Sequence, residues 1–180
     1  MVTRAKIPNL LTFARVACVP IVLVLVLIKP DAHAVLFALF LFATVTDFLD
    51  GYLARRWNVV NALGAMLDPL ADKLLVALLL VYLVSHTEIA TLPVIVILLR
   101  EIYVSGLREC LGNQQIALPV SSGGKWKTAM QMIAITLLLA APALQIPTLM
   151  PLGNFVLMIS AGLAFLSAVS YTRQSWRYFV

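Results

Sequence analysis

Long apolar stretches alternate with short polar breaks along the whole of this sequence. Each stretch is apolar on all sides rather than along one stripe, which is typical of helices that lie in a lipid bilayer. A helix needs about 20 residues to cross a hydrocarbon core about 30 Å thick, and the stretches approach that length. We therefore predict six membrane-spanning helices, over 12–28, 34–54, 65–85, 89–111, 125–141 and 149–171.

Composition indicates the same class of protein. Of the 180 residues, 62% are hydrophobic and 12% are charged, whereas soluble domains carry about 25% charged residues. The segment 128–172 contains no charged residue at all. A soluble fold of this length could not bury so much apolar surface, so we predict an all-α, polytopic integral membrane protein that forms a single domain over 1–180.

Basic residues gather at one end of the predicted helices. Because Lys and Arg are in excess on the cytoplasmic side of membranes, both termini are predicted to be cytoplasmic. The net charge of +5 then forms a basic rim that suits anionic lipid headgroups or anionic substrates, and it does not resemble a nucleic-acid-binding face. The residues at this end are Arg4, Lys6, Arg15, Arg55, Arg56, Lys73, Arg108, Lys125, Lys127, Arg173 and Arg177.

Four aspartates fall within the second and third predicted helices. They are Asp47, Asp50, Asp68 and Asp72. A charged residue at membrane depth costs about 2.5–3.5 kcal/mol on insertion scales, so such residues are functional candidates. Each pair is three or four residues apart and shares a helix face, and the short connection between the helices makes them antiparallel neighbours. The four carboxylates are therefore predicted to face one another in the cytoplasmic half of the bilayer.

Divalent cations explain most simply why four carboxylates would meet at one place. Mg²⁺ and Mn²⁺ prefer oxygen ligands, and two such ions about 3.5–4 Å apart can bind a diphosphate. Gly51 would permit close approach of a substrate, and Arg55 can make paired hydrogen bonds to a phosphate. The alternative is that the aspartates only form structural ion pairs with Arg55, Arg56 and Lys73.

The local geometry of Asp68 is open because a proline follows it. A residue before proline is disfavoured in the helical conformation. Asp68 could therefore cap a helix that begins at Pro69, or the segment 64–68 could form a first helical turn with a kink. Both geometries keep Asp68 beside Asp72.

The complete spacing resembles the signature of the CDP-alcohol phosphatidyltransferases: Asp47-x2-Asp50-Gly51-x2-Ala54-Arg55-x8-Gly64-x3-Asp68-x3-Asp72. The resemblance implies an integral-membrane enzyme, usually a homodimer, that transfers a phosphatidyl group from CDP-diacylglycerol to an alcohol and releases CMP. It also implies that the four aspartates bind two Mg²⁺ or Mn²⁺ ions and that Asp72 is the general base. Contacts with the CDP moiety are implied for Gly51 and Arg55, and for Asn9 and Thr12 of the segment Asn9-Leu-Leu-Thr12-x2-Arg15.

Two further segments are similar to the bacterial phosphatidylglycerophosphate synthases within that family. They are Arg100-Glu101-x3-Ser105-x-Leu107-Arg108-Glu109 and Gly124-Lys125-x-Lys127-Thr128-x2-Gln131. Ser105 and Arg108 lie three residues apart on the fourth predicted helix, and Lys125 opens the fifth on the same side. These groups are predicted to form a cationic pocket for the dianionic phosphate of sn-glycerol 3-phosphate. Lys127 and Arg173 are predicted to complete it; alternatively, Lys125 and Lys127 serve only as a topology signal.

Other functions stay open at this point. The resemblance implies a bacterial inner-membrane enzyme with its active site facing the cytoplasm, but the acceptor could be inositol 1-phosphate, serine or phosphatidylglycerol. A divalent-cation transporter is a different class, which the position of the acids near one face of the bilayer disfavours. A prenyl diphosphate enzyme is a third, which the frame of Gly51, Arg55 and Gly64 disfavours.

Two patterns concern packing rather than chemistry. Ser160, Ala164 and Ala168 recur every four residues and are predicted to pack the sixth helix against a neighbour. Aromatic residues near the helix ends are predicted to form an interfacial belt. They are Trp126, Tyr171, Trp176 and Tyr178.

Overall fold

A computed structural model describes residues 2–57, 62–112, 122–176 and 178, with side chains described at 13–49, 56, 70–112, 126–176 and 178. Over these residues the chain is all-helical, with six α-helices and no strand. In chain order they are α1 (Val2–Ile28), α2 (His33–Trp57), α3 (Ala62–His86), α4 (Thr91–Gly112), α5 (Ser122–Ala143) and α6 (Leu149–Trp176).

The predicted helices are confirmed, and most of their ends agree to within a few residues. The main differences are that α1 begins at Val2 rather than at 12, and that α6 ends at Trp176 rather than at 171. Hydropathy marks only the apolar part of a helix, whereas the backbone hydrogen bonds of a helix can continue through polar residues in water or among headgroups. The polar ends of α1 and α6 therefore escaped a prediction based on apolar stretches.

Helix α3 settles the open question about Asp68. The helix begins at Ala62 and runs without a break through Pro69 to His86. A helix beginning at Pro69 and capped by Asp68 is therefore wrong, and the segment before Pro69 is helical. Pro69 has no N–H, so α3 lacks the hydrogen bond to the carbonyl of Ala65.

Helices α5 and α6 share the most extensive interface among the described residues, while α1 packs against α2 and α3, and α4 packs against α6. Gly153 allows α5 and α6 to approach closely, because a Cβ at this position would lie 2.7 Å from Leu138 Cγ. Ser160 and Ala164 are fully buried. The predicted packing face of α6 is thus confirmed at these two residues, while Ala168, its third predicted member, is only half-buried.

The outer surface of the bundle is strongly apolar. Exposed side chains include Phe48 at 70%, Ile102 at 73% and Phe155 at 62% of their full accessible surface. Two described stretches are long and apolar enough to cross a membrane, Trp126–Ala143 and Leu149–Trp176. Apolar surface on this scale is unusual for a soluble monomer, and it fits a protein embedded in lipid.

Candidate active site

Asp47 of α2 and Asp72 of α3 meet at a single nitrogen atom of Arg15 from α1. Arg15 Nη1 lies 2.6 Å from Asp47 Oδ1 and 3.5 Å from Asp72 Oδ1. The arginine side chain is almost completely buried, with 1% of its surface exposed, whereas the two aspartate side chains are 48% and 45% exposed. The structure therefore brings together two of the four predicted metal ligands, in a position that solvent or a substrate can reach.

The side chains of Asp50 and Asp68 lie outside the described residues. Their backbones are part of the same two helices, with Asp50 three residues after Asp47 and Asp68 four residues before Asp72. All four aspartates thus belong to α2 and α3, the helices that contribute Asp47 and Asp72 to the contacts with Arg15.

The predicted CDP contacts cannot be placed at the level of side chains, because these also lie outside the described residues. Gly51 and Arg55 belong to the last turns of α2, and Asn9 and Thr12 belong to α1. Thr12 precedes Arg15 by three residues in the sequence.

The oxygen atoms that Asp47 and Asp72 provide are of the kind that divalent cations bind. Carboxylate oxygens are the ligands that Mg²⁺ and Mn²⁺ prefer, and Asp47 and Asp72 already converge on one positive charge, that of Arg15. No group of three or more potential metal ligands occurs among the side chains that the structure describes. A complete site would therefore need Asp50 and Asp68 as well.

The contact of Arg15 with the aspartates was not predicted from the sequence. Arg15 was placed in the basic rim, and Arg55, Arg56 and Lys73 were the possible partners of the aspartates. Instead, Arg15 is buried within the bundle, and Lys73 donates a hydrogen bond of 2.6 Å to Ser105 Oγ. A charged residue inside an apolar helix was the signal that could have identified Arg15.

A second polar cluster joins α3, α4 and α5. Glu101 accepts hydrogen bonds from Lys127 Nζ and from Arg100 Nη1, the latter at 3.1 Å. Ser105 Oγ accepts from Lys73 and donates to the carbonyl oxygen of Glu101 at 2.6 Å. Lys127 is 3% exposed, so it is an internal residue of the bundle rather than a topology signal at its rim.

Arg108 is positioned by a tyrosine of α6. Arg108 Nη2 donates a hydrogen bond of 2.7 Å to the hydroxyl oxygen of Tyr171, and its Cζ lies 5.1 Å from the centre of the tyrosine ring. Tyr171 is only 1% exposed. Its predicted place in an interfacial aromatic belt is therefore wrong, because the ring is covered by arginine side chains inside the bundle.

The other predicted belt residues are exposed as expected, and so is Arg173. Trp126, Trp176 and Tyr178 expose between 45% and 65% of their surfaces.

Arg173 follows Tyr171 by two residues on α6, and residues two apart do not share a helix face. The helix thus does not direct Arg173 toward Arg108 together with Tyr171. The side chain of Lys125 lies outside the described residues.

Asp72 and Lys73 connect the two clusters, because they are consecutive residues of α3. One contacts Arg15 beside Asp47, and the other contacts Ser105 beside Glu101. Three basic side chains contact Glu101 or Ser105 in the second cluster, namely Lys73, Arg100 and Lys127. Arg108 lies beside this cluster, because its guanidinium and that of Arg100 are both close to the ring of Tyr171. The site thus combines carboxylates that suit a cation with an excess of positive charge that suits a phosphate.

Comparison with known proteins agrees with the resemblance in the signature. Residues 5–169 match the family model described as CDP-alcohol phosphatidyltransferase. The chain is 40% identical over 176 residues to the CDP-diacylglycerol–glycerol-3-phosphate 3-phosphatidyltransferase of Rickettsia bellii, with 97% of each chain covered. It is 40% identical to CDP-diacylglycerol–glycerol-3-phosphate 3-phosphatidyltransferase 2 of Arabidopsis thaliana, covering 95% of this chain and 80% of that one.

A relative with a different name is equally similar. The chain is 42% identical over 189 residues to the cardiolipin synthase (CMP-forming) of Oryza sativa subsp. japonica, covering 95% of this chain and 57% of the rice protein. All three relatives therefore match nearly the whole length of this chain. From the family match over residues 5–169 and these near-complete alignments, it follows that the chain belongs to the CDP-alcohol phosphatidyltransferase family of enzymes.

Proposed function

We propose that this enzyme transfers the phosphatidyl group of CDP-diacylglycerol to sn-glycerol 3-phosphate, giving phosphatidylglycerophosphate and CMP. The observation that carries the proposal is the adjacency of two unlike clusters on α3. Asp72 converges with Asp47 on Arg15, while Lys73 contacts Ser105 in the basic cluster. A metal-bound diphosphate and an acceptor with its own phosphate need these two environments side by side.

The donor site is proposed to use the four aspartates as ligands of two Mg²⁺ or Mn²⁺ ions. When bound, such ions supply charge neutralisation for a diphosphate and stabilise the leaving oxygen. Gly51, Arg55, Asn9 and Thr12 are proposed to contact the CDP moiety. The acyl chains would remain in the lipid that surrounds the apolar outer surface of the bundle, where residues such as Phe48 are exposed.

Asp72 is proposed to act as the general base. Its carboxylate is 45% exposed, so it can reach a proton on the free primary hydroxyl of the acceptor. As that proton passes to Asp72, the hydroxyl oxygen forms a bond to the β-phosphorus, which carries the diacylglycerol. The bond between this phosphorus and the oxygen of CMP breaks, and CMP departs with the electron pair.

The acceptor phosphate is proposed to bind in the basic cluster, with Arg108, Ser105 and Lys125 as its principal contacts and with Lys127 completing the pocket. Arg173 is left out of this proposal, because it does not share the face of α6 that carries Tyr171. The names of the Rickettsia and Arabidopsis relatives include glycerol 3-phosphate as substrate. A dianionic phosphate gains two or more charge-assisted hydrogen bonds in such a cluster. The excess of Lys73, Arg100 and Lys127 over Glu101 supports this choice, and Arg108 adds a further positive charge beside Tyr171.

Phosphatidylglycerol is the second candidate acceptor, and the similarity to the rice cardiolipin synthase favours it. Its headgroup offers a primary hydroxyl but only a singly charged phosphodiester. The same carboxylate chemistry could transfer the phosphatidyl group to that hydroxyl. The basic cluster would then have less anionic charge to balance, which is why glycerol 3-phosphate is the preferred acceptor.

The enzyme is proposed to be a single domain over 1–180 with six membrane-spanning helices and both termini in the cytoplasm. It would lie in the bacterial inner membrane as a homodimer, with its active site facing the cytoplasm. The apolar outer surface supports membrane insertion. The basic residues at the ends of the helices nearest the aspartates support the orientation, because positive charge is enriched on the cytoplasmic side.

A competition assay with purified enzyme tests the proposal. CDP-diacylglycerol is offered together with glycerol 3-phosphate, inositol 1-phosphate, serine and phosphatidylglycerol, and the lipid products are identified by mass spectrometry. We expect phosphatidylglycerophosphate with CMP in equal amounts, loss of activity with EDTA, and recovery with Mg²⁺ or Mn²⁺. Cardiolipin as the main product would favour the second candidate. Mg²⁺ flux into proteoliposomes without turnover of lipid would contradict both.

A further inference from the structure

Tyr171 of α6 has two guanidinium groups of α4 close to its ring. The Cζ atoms of Arg108 and Arg100 lie 5.1 Å and 5.8 Å from the centre of its ring. Arg108 also donates a hydrogen bond of 2.7 Å to the tyrosine hydroxyl oxygen. Both distances to the ring are within the range of cation–π attraction. Tyr171 thus fixes the direction of Arg108 by two separate contacts.

The two arginines differ in how their charge is balanced. Arg100 pairs with Glu101 at 3.1 Å and donates a hydrogen bond of 2.8 Å to Ser167 Oγ, and its side chain is 11% exposed. Arg108 is exposed, and within the described part of the chain it has no carboxylate at ion-pair distance. Of these two arginines, Arg108 is therefore the one that is available to bind an anionic ligand from solvent.

An exposed arginine would ordinarily sample many rotamers, and binding a phosphate would then require it to be ordered. Ordering a rotamer-rich side chain opposes binding. The buried ring and hydroxyl of Tyr171 order Arg108 before any ligand arrives. Since a tyrosine carries no charge, it orders the guanidinium without neutralising it. A carboxylate in the same place would do both, as Glu101 does for Arg100.

We propose that Tyr171 is a positioning residue that sets the affinity for the acceptor phosphate by holding Arg108 in its binding orientation. The inference rests on the proposed function, in which Arg108 binds the phosphate of glycerol 3-phosphate. Tyr171 lies beyond residues 5–169, the segment that matches the family model. The proposal thereby links the affinity for the acceptor to α6, a helix other than those that carry the aspartates.

Steady-state kinetics of Tyr171→Phe tests the proposal, because this change removes the hydrogen bond and keeps the ring. We expect the KM for glycerol 3-phosphate to rise roughly three- to tenfold, from the added ordering of one side chain. The KM for CDP-diacylglycerol and kcat should change less than twofold. Tyr171→Leu, which also removes the aromatic face, should raise the acceptor KM further.

Tyr103→Phe is the matched control. Tyr103 of α4 bonds Thr172 Oγ1 of α6 at 2.8 Å, so this variant also removes one phenolic hydrogen bond between the same two helices, without a contact to an arginine. Its acceptor KM should equal that of the wild type. An equal rise in both variants would overturn the proposal, because a general loosening of α4 against α6 would explain it.

A double-mutant cycle separates positioning from a direct contact with substrate. In an Arg108→Ala background, Tyr171→Phe should raise the acceptor KM no further, since there is no guanidinium to position. A full additional rise in that background would overturn the proposal. If Tyr171→Phe leaves the acceptor KM unchanged while the wild type uses glycerol 3-phosphate, only this inference fails. If the wild type does not use glycerol 3-phosphate, the proposed function fails and this inference fails with it.

Discussion

Arg15 Nη1 donates a 2.6 Å hydrogen bond to Asp47 Oδ1 across an interval of 32 residues. The same nitrogen reaches Asp72 at 3.5 Å. A buried guanidinium thus links α1 to the carboxylates of α2 and α3. A positive charge at this point reduces the repulsion between the aspartates, and this role is one that a divalent cation could share.

Replacing Arg15 by Gln should make the protein depend on metal for its stability. Without the guanidinium, the aspartates repel one another, and leaving these half-exposed carboxylates without their hydrogen-bond donor should cost about 1–3 kcal/mol. We expect a lower Tm in EDTA and a larger rise in Tm on adding Mg²⁺ than in the wild type. The measurement is thermal unfolding in detergent micelles, which needs no turnover.

Lys29→Gln is the control for Arg15→Gln. Lys29 is exposed at the other end of the first helical hairpin, so its loss removes the same charge from the protein without touching the aspartates. Its Tm in EDTA and in Mg²⁺ should match the wild type. An equal response of the two variants to Mg²⁺ would show that net charge, rather than the pairing of Arg15 with Asp47, controls the effect.

Asp72→Asn should nearly abolish transfer. The amide cannot accept the proton of the acceptor hydroxyl, and loss of a general base commonly costs 10²–10⁴-fold in rate, so kcat should fall at least about 100-fold. The KM for glycerol 3-phosphate should change little, because the basic cluster is intact. The assay is release of CMP from CDP-diacylglycerol, and near-normal turnover would remove Asp72 as the base.

Arg108→Ala should impair the use of the acceptor much more than the use of the donor. Losing a charged hydrogen bond to phosphate costs about 1.5–3 kcal/mol, which corresponds to roughly a 10- to 150-fold rise in the KM for glycerol 3-phosphate. The KM for CDP-diacylglycerol should remain within about twofold. Equal losses for the two substrates, measured in the same preparation, would argue against an acceptor pocket at Arg108.

Much of the architecture was predictable from sequence, because lipid imposes strong constraints. A backbone in hydrocarbon must satisfy its own hydrogen bonds, so each apolar stretch became a helix. The convergence of Asp47 with Asp72 was predicted from their spacing, but the reason given for it was incomplete. Among the described residues, α1 packs against both α2 and α3, and its Arg15 joins the two aspartates, whereas α2 and α3 share no extensive interface.

The features that escaped prediction involve contacts between distant parts of the chain. Arg15 and Asp72 are 57 residues apart, and Arg108 and Tyr171 are 63 residues apart. A tyrosine near the end of a membrane helix usually lies at the interface, but nearby arginines of another helix bury this one. Lys127 was ambiguous for the same reason, because its partner Glu101 lies on a different helix.

Glu101 should matter more for stability than either of its basic partners. Glu101→Gln leaves both Arg100 and Lys127 without this carboxylate, whereas Lys127→Gln leaves Glu101 paired with Arg100. Stranding a buried charge costs about 3–5 kcal/mol, so Glu101→Gln should lower the free energy of unfolding by more than Lys127→Gln does. Denaturant titration in mixed micelles measures both values. The opposite ranking would mean that Lys127, rather than Glu101, is the centre of the cluster.

Gly153 should be the least replaceable glycine of those with described surroundings. A Cβ at this position would lie 2.7 Å from Leu138 Cγ and 3.2 Å from the backbone nitrogen of Leu138. Gly153→Ala should therefore push α6 away from α5 and destabilise the protein by about 1–3 kcal/mol, the usual cost of overpacking. Gly162→Ala on the same helix meets no atom within 4 Å and should be neutral or slightly stabilising, because Ala favours helix more than Gly does. Thermal unfolding of the two variants side by side makes the comparison.

Leu138→Ala combined with Gly153→Ala should recover part of the loss, since the side-chain atoms that clash are removed while the backbone contact remains. Equal Tm values for Gly153→Ala and Gly162→Ala would show that α5 and α6 are not packed as closely as Gly153 and Leu138 indicate.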